Sequence, residues 1–181
     1  MVSGFFTYQE GNLYNSIINS EQEIKYNKRK LVPFGEYIPF ESFLRGLISF
    51  FDMPMSNITR GDAPQQMNVG YGNFSPLVCF DIVFGEMVRK DVKSSNYIIN
   101  VSNDTWFGNS FGPYQHLEIS RVRSVENNIP IVRATNDGIS ALIDSKGTIV
   151  DYMGKGTSGI LHAKLVPTDL RTFYNQYGNL L

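Results

Sequence analysis

Leu77-Val78-Cys79-Phe80, then Ile82 to Val92, then Tyr97-Ile98-Ile99-Asn100-Val101, is the stretch of sequence on which the fold turns. The first four residues read as a short apolar strand, the middle run has apolar residues at helical spacing, and the last five read as a buried strand. A strand, a helix and a strand within about 25 residues make a right-handed parallel crossover. In such a unit functional side chains are expected at the carboxyl end of the strand, and Cys79 falls there.

Working outward, the pattern repeats downstream. Tyr114 to Glu126 is predicted as a helix with Leu117, Val122 and Val125 on or near one face, and Ile129 to Ala134 as a strand. Ile139 to Ile143 and Thr148 to Tyr152, flanking Asp144-Ser145-Lys146-Gly147, predict a hairpin, and Gly159 to Leu165 one further strand. Upstream, Leu13 to Ile18 and Ile24 to Leu31 predict two strands joined at Asn19-Ser20-Glu21. Leu31-Val32-Pro33-Phe34-Gly35-Glu36-Tyr37-Ile38-Pro39 carries two prolines and a glycine, which forbid a regular element and predict a shaped loop. Phe40 to Phe51 is predicted as a short helix whose apolar side, with Phe43, Leu44, Leu47, Ile48 and Phe51, suits a core or a lipid surface equally. The expected fold class is α/β with a mixed sheet, in one domain over residues 1–181.

The 181 residues, 42% hydrophobic and 18% charged, are enough to bury a sizeable core. A net charge of -1 and no run of Lys and Arg exclude nucleic acid as the main partner. No stretch approaches the roughly 18 consecutive apolar residues that span a bilayer, and Met1-Val2-Ser3-Gly4 lacks the regions of a signal peptide, so the chain by itself is expected to be soluble. The single cysteine has no internal disulfide partner and no second thiol for a zinc site. The two histidines, His116 and His162, show no ligand spacing, so no metal and no cofactor is expected, and neither histidine is persuasive as a base.

Cys79 is then either packing or chemistry. A lone cysteine in an apolar run is usually inert core, yet a thiol between a strand and a helix sits where amide N–H groups favour its thiolate. Lys28, at a strand end, is ordinarily solvated surface, and Glu36, eight residues on, an ordinary loop carboxylate. Together they would present a cation and a partly desolvated carboxylate to one cleft, where the cation favours a thiolate and balances charge on a tetrahedral intermediate. Ser102-Asn103-Asp104-Thr105-Trp106-Phe107-Gly108 reads alone as a turn with an anchoring aromatic.

Taken together, Tyr26-x-Lys28-x-x-Leu31-Val32-Pro33-Phe34-Gly35-Glu36-Tyr37-x-Pro39, Val78-Cys79-Phe80-Asp81 and Ser102-Asn103-Asp104-x-Trp106-Phe107-Gly108 resemble the carbon–nitrogen hydrolase, or nitrilase, superfamily in order and spacing. The extended Leu-Val-Pro-Phe-Gly-Glu-Tyr loop, Gly112-Pro113-x-Gln115-His116 and Arg133-Ala134-Thr135-Asn136-x-Gly138 look like the apolipoprotein N-acyltransferases within it. The resemblance implies an αββα sandwich with a Glu-Lys-Cys triad, Cys79 as nucleophile, Lys28 as the lysine and Glu36 as a further glutamate. Phe80, Asp81, Asn103, Trp106 and Phe107 would bind substrate or support the site. Phe80-Asp81 stands where that family often has Tyr-Glu. The triad glutamate of that family lies in a Pro-Glu segment ahead of Tyr-x-Lys. Glu10, Glu21 and Glu23 do not fit it, so the chain is expected to be a fragment lacking the first βα unit and the membrane helices.

The implied reaction is transfer of an acyl chain from a phospholipid donor, through a Cys79 thioester, to the N-terminal amine of a diacylglyceryl-cysteine lipoprotein. The parent enzyme would reside in the bacterial inner membrane, held by segments outside this chain, with this domain facing the periplasm. Two alternatives are a soluble nitrilase-type amidase, with water as acceptor, and an inactive remnant of the fold.

Overall fold

The computed structural model describes residues 1–39, 57–162 and 164–179, so the helix expected over Phe40 to Phe51 lies outside the described residues. Two sheets form. The first has three antiparallel strands in the order β1 (Val2–Gln9), β2 (Asn12–Asn19) and β3 (Ile24–Asn27). Glu10 and Gly11, at φ 51 and 80, make the tight two-residue turn that sets Gln9 opposite Asn12. β1 extends the predicted pair of strands; Phe5, Phe6 and Tyr8 on it are exposed.

The second sheet has six strands in chain order: β4 (Met67–Asn68), β5 (Asn73–Val78), β6 (Tyr97–Asn103), β7 (Ile131–Asn136), β8 (Ser140–Ile143) and β9 (Ile149–Met153). β5, β6 and β7 run parallel and the flanking pairs antiparallel, which makes the expected mixed sheet. Between β5 and β6 lie a 3-10 turn, Cys79–Val83, and helix α1 (Gly85–Asp91). Helix α2 (Gly112–Asn127) precedes β7, and a short α3 (Phe173–Tyr177) follows β9. Among the described residues, no helix is long and apolar enough to cross a membrane.

Strand periodicity sorts the central strands into two cores. Phe74 and Val78 of β5 with Tyr97, Ile99 and Val101 of β6 face Ile17 and Tyr26 of the first sheet. Leu77 and Ile98 point the other way, against Val88, Val92, Leu117, Ile131 and Ile143 beneath the helices. The α/β class therefore holds, as sheet upon sheet with helices on the outer face of the larger one.

Four expectations are corrected. β5 begins at Asn73 and stops at Val78, so Cys79 and Phe80 belong to the turn, because the Asp81 carboxylate takes the Val78 N–H. The helix predicted from Ile82 is only α1, after a break at Phe84. On α2, Val122 and Val125 are exposed, and the buried face is Pro113, His116, Leu117, Ser120, Ser124 and Asn127. That face is small and polar, each hydroxyl being satisfied locally, as by Ser124 Oγ on Ile129 O at 2.7 Å. Finally, the described residues between Gly159 and Leu165 form no strand. The chain leaves the sheet and crosses to the α1–β6 connection, where Asp169 accepts from Asn96 Nδ2 at 2.7 Å and Arg171 donates to Ser95 O.

Gly61 locks the first sheet in place beside the end of β3. Its N–H donates to Lys28 O at 2.8 Å, and a Cβ there would lie 2.3 Å from Asn27 O, a backbone atom that cannot swing aside. Gly61→Ala is expected to destabilise the fold by about 1–3 kcal/mol. A lower urea midpoint with an unchanged m-value would register it.

Candidate active site

Cys79 opens the turn after β5 with φ 47, a left-handed conformation that costs a residue with a Cβ about 1–2 kcal/mol. Two side chains hold it there. Asp81, fully buried, accepts the Val78 N–H at 3.2 Å just before the cysteine. His116, from the first turns of α2, places Nε2 3.2 Å from the Cys79 carbonyl oxygen. The cysteine itself stays half-buried just past the carboxyl end of β5, packed against the cluster of Ile17, Tyr26, Phe74 and Val78.

Asp81 also ties this turn to the first sheet. It accepts from Tyr26 Oη at 2.8 Å and from the Lys30 N–H at 2.8 Å. Burial pushes its carboxyl above the ordinary value, against the pull of those hydrogen bonds and of the Lys28 charge. Burial, with the Asp81 charge added, pushes the Tyr26 hydroxyl up as well. Between Tyr26 and Lys30 stands Lys28, 1% exposed, whose Nζ donates to both oxygens of Glu36, at 2.8 and 2.6 Å. The loop from Leu31 to Pro39 is shaped to deliver that glutamate. It folds back with Phe34 N–H on Tyr37 O at 2.8 Å, and Glu36 receives the Val32 N–H at 2.8 Å and Asn15 Nδ2 at 3.3 Å. Lys28 and Glu36, expected to be presented to one cleft, meet each other instead as a buried bidentate pair.

Behind the cysteine lies a second charged group. His116 Nδ1 is 3.1 Å from Asp104 Oδ1, and Arg133 Nη2 donates to Asp104 Oδ2 at 2.7 Å. Arg133, 1% exposed, also donates to Ile139 O at 3.3 Å and to Asn100 Oδ1, while Asn100 Nδ2 reaches Leu77 O at 3.1 Å. Burial alone would raise the Asp104 carboxyl. The hydrogen bond with His116, the charge of Arg133 and the hydroxyl of Ser102 outweigh it and hold the carboxyl below its ordinary value. Gly138 is required for this packing, since a Cβ there would sit 2.5 Å from Asp104 Oδ2.

The other predicted residues are spread around this centre. Phe80 packs edge-on against Phe84, centroids 5.3 Å apart, and Lys30 Nζ lies 4.9 Å from the Phe84 ring. Asn103 is exposed and spends its amide oxygen on the Thr105 hydroxyl, at 2.6 Å, rather than on Cys79 or Lys28. Trp106 is 57% exposed. Phe107 meets the His116 ring edge-on at 6.1 Å, which brings the Trp-Phe-Gly segment next to the Cys79 turn. Asp104, His116 and Arg133 were assigned no role from the sequence, although each lies inside a motif that carried the resemblance. Among the described residues there is no cluster of three His, Cys, Asp or Glu side chains fit to hold a metal ion.

A sheet-on-sheet α/β fold with a cysteine in a strained turn, tied through Asp81 to the segment that carries a buried lysine and glutamate, defines a class. A family model described as carbon-nitrogen hydrolase matches residues 1–175, and the chain belongs to that family. The chain is 38% identical, over 99% of its length, to a Vibrio vulnificus protein named apolipoprotein N-acyltransferase, and covers 38% of that protein. A Haemophilus influenzae protein of the same name is 40% identical over 95% of this chain, which covers 35% of it. A third, from Pseudomonas aeruginosa, is 44% identical over 84% of this chain, which covers 30% of it. The chain thus spans well under half the length of these relatives. Among solved structures, Saccharomyces cerevisiae Nit3, of the nitrilase superfamily, superposes with a TM-score of 0.61 at 20% identity, over 87% of this chain and 55% of that one. An amidase from Nesterenkonia sp. gives 0.61 at 20% identity, over 97% and 62%. At that identity the likeness is one of fold.

Proposed function

We propose that this chain is the catalytic part of an N-acyltransferase that moves an acyl group from a phospholipid to the N-terminal amine of a diacylglyceryl-cysteine lipoprotein. The observation that carries the reading is the run of relatives named apolipoprotein N-acyltransferase, 38–44% identical over most of the chain. The parent protein would lie in the bacterial inner membrane with this domain on the periplasmic side.

In the proposed cycle a carboxylate base takes the Cys79 thiol proton, and the thiolate adds to the donor ester carbonyl. Collapse of the tetrahedral intermediate breaks the ester C–O bond. The alkoxide takes up the proton and leaves as lysophospholipid, and the acyl chain stays on sulfur as a thioester. The lipoprotein amine then adds to the thioester carbonyl, gives a proton to the carboxylate base, and expels Cys79 thiolate as the amide forms; the base returns that proton to sulfur. Lys28 balances the oxyanion in both steps. Glu36, bonded to Lys28 through both oxygens, aims the ammonium. Asp81 fixes the spacing of the two segments, and the exposed Trp106, Phe107, Phe111 and Tyr114 form an apolar rim suited to acyl chains.

The test is intact-mass spectrometry of the parent protein incubated with phospholipid. The parent is expected to gain one acyl mass and to discharge it as an amide onto a diacylglyceryl-cysteine peptide. Cys79→Ala is expected to gain none, and acylation of that variant at the parent's level would defeat the reading. Discharge to water with equal ease would instead favour hydrolysis.

A further inference from the structure

We infer that His116 is a positioning residue of the Cys79 site: its ring bridges the strained cysteine backbone on one side and the buried Asp104 carboxylate on the other. The inference deepens the proposed function and rests on Cys79 being the nucleophile.

The hydrogen-bond inventory of the ring leads to it. A carbonyl oxygen only accepts, so the 3.2 Å contact with Cys79 O requires a proton on Nε2. The 3.1 Å contact of Nδ1 falls on Asp104 Oδ1, which already accepts from the Ser102 hydroxyl, while Oδ2 accepts from Arg133 Nη2 at 2.7 Å. The ring, 4% exposed, is thereby clamped between the Cys79 carbonyl and a carboxylate whose other oxygen the Arg133 guanidinium anchors.

The groups facing the ring come from every element around it. Asp104 and Phe107 come from the segment after β6, Arg133 from β7 and Cys79 from the turn after β5. On its own helix, Arg123 is engaged by Ile82 O and Glu126, and Arg121 by Glu118. Asp137 and Lys155, farther out, pair with each other at 3.8 Å. The Nε2–H bond keeps the Cys79 carbonyl from relaxing out of the φ 47 conformation. With Nε2 spent on that carbonyl and Nδ1 turned to Asp104, His116 is not a base for the thiol; it acts through the backbone.

Two measurements on the full 181-residue chain test this. Ring-nitrogen NMR is expected to find a proton on His116 Nε2, held against the Cys79 carbonyl. A bare Nε2 would overturn the inference. The second measurement is the alkylation rate of Cys79, the only thiol, by iodoacetamide. His116→Phe, which removes both ring nitrogens, is expected to slow it about 10²-fold. His116→Gln, which restores a donor to the Cys79 carbonyl without the ring, should recover part of that loss. Parent-like alkylation in His116→Phe would also overturn the proposal. If the Phe variant does not fold, the ring signature of the parent and the rate of the Gln variant decide. Failure of the nucleophile reading is separate: it appears as acylation of Cys79→Ala and leaves the His116 ring signature unchanged.

Discussion

Replacing Lys28 by methionine is expected to destabilise the fold by about 3–5 kcal/mol and to abolish acyl-enzyme formation. Lys28 and Glu36 are 1% and 4% exposed, so the substitution leaves a carboxylate in a site closed to water. Its remaining donors, Asn15 Nδ2 at 3.3 Å and the Val32 N–H at 2.8 Å, are neutral and do not replace the ammonium. The double variant Lys28→Met/Glu36→Gln separates the two effects. Removing both charges of a buried pair is often nearly neutral, so most of the stability should return while acylation does not. Urea unfolding and intact-mass spectrometry on the same samples measure both. A double variant that acylates at the parent's rate would remove the ammonium from the chemistry.

The second large effect is expected at Asp104. Asp104→Asn leaves the Arg133 guanidinium buried at 1% exposure without its counter-charge, a loss of about 3–5 kcal/mol at neutral pH. Burial already pulls Arg133 down from its ordinary value, and the Asp104 charge is what opposes it. The pH dependence follows from the lowered Asp104 carboxyl. A carboxylate whose folded value lies below its unfolded value of 3.8 stabilises fully above that value and ceases to do so as pH falls through the folded value. The difference between parent and variant should therefore be level through the neutral range and shrink in acid below about pH 4. Urea midpoints collected down the pH scale would show it, and a difference that grows in acid would contradict the charge assignment.

Much of this was legible in the residues. Leu77-Val78 and Tyr97 to Val101 announced parallel strands buried on both faces, and Ile139 to Tyr152 announced a hairpin, because strand periodicity and turn chemistry are local properties. The Lys28–Glu36 pair was legible because eight residues and a proline-bounded loop separate its members. What stayed hidden was decided by distant partners. β5 stops one residue before Cys79 because Asp81 captures Val78, and Asp81 is held in place by Tyr26, 55 residues away in sequence. The polar face of α2 hid behind Val122 and Val125, since no periodicity of apolar residues reveals His116, Ser120 and Ser124 turned inward. The strand expected after Gly159 had the right residue types, but its chain is drawn off to Asn96 and Ser95 instead.

The Asp81 carboxylate gathers donors from both layers: Tyr26 and Lys30 beside the small sheet, Val78 at the tip of a central strand of the large one. It therefore acts as a dowel through two plates. Sliding one plate over the other would shear the dowel and shift the Cys79 turn against the Lys28 segment while most of each plate stayed intact. Loss of the proposed chemistry would then be a gauge of alignment between layers, expected to register before any loss of secondary structure within them.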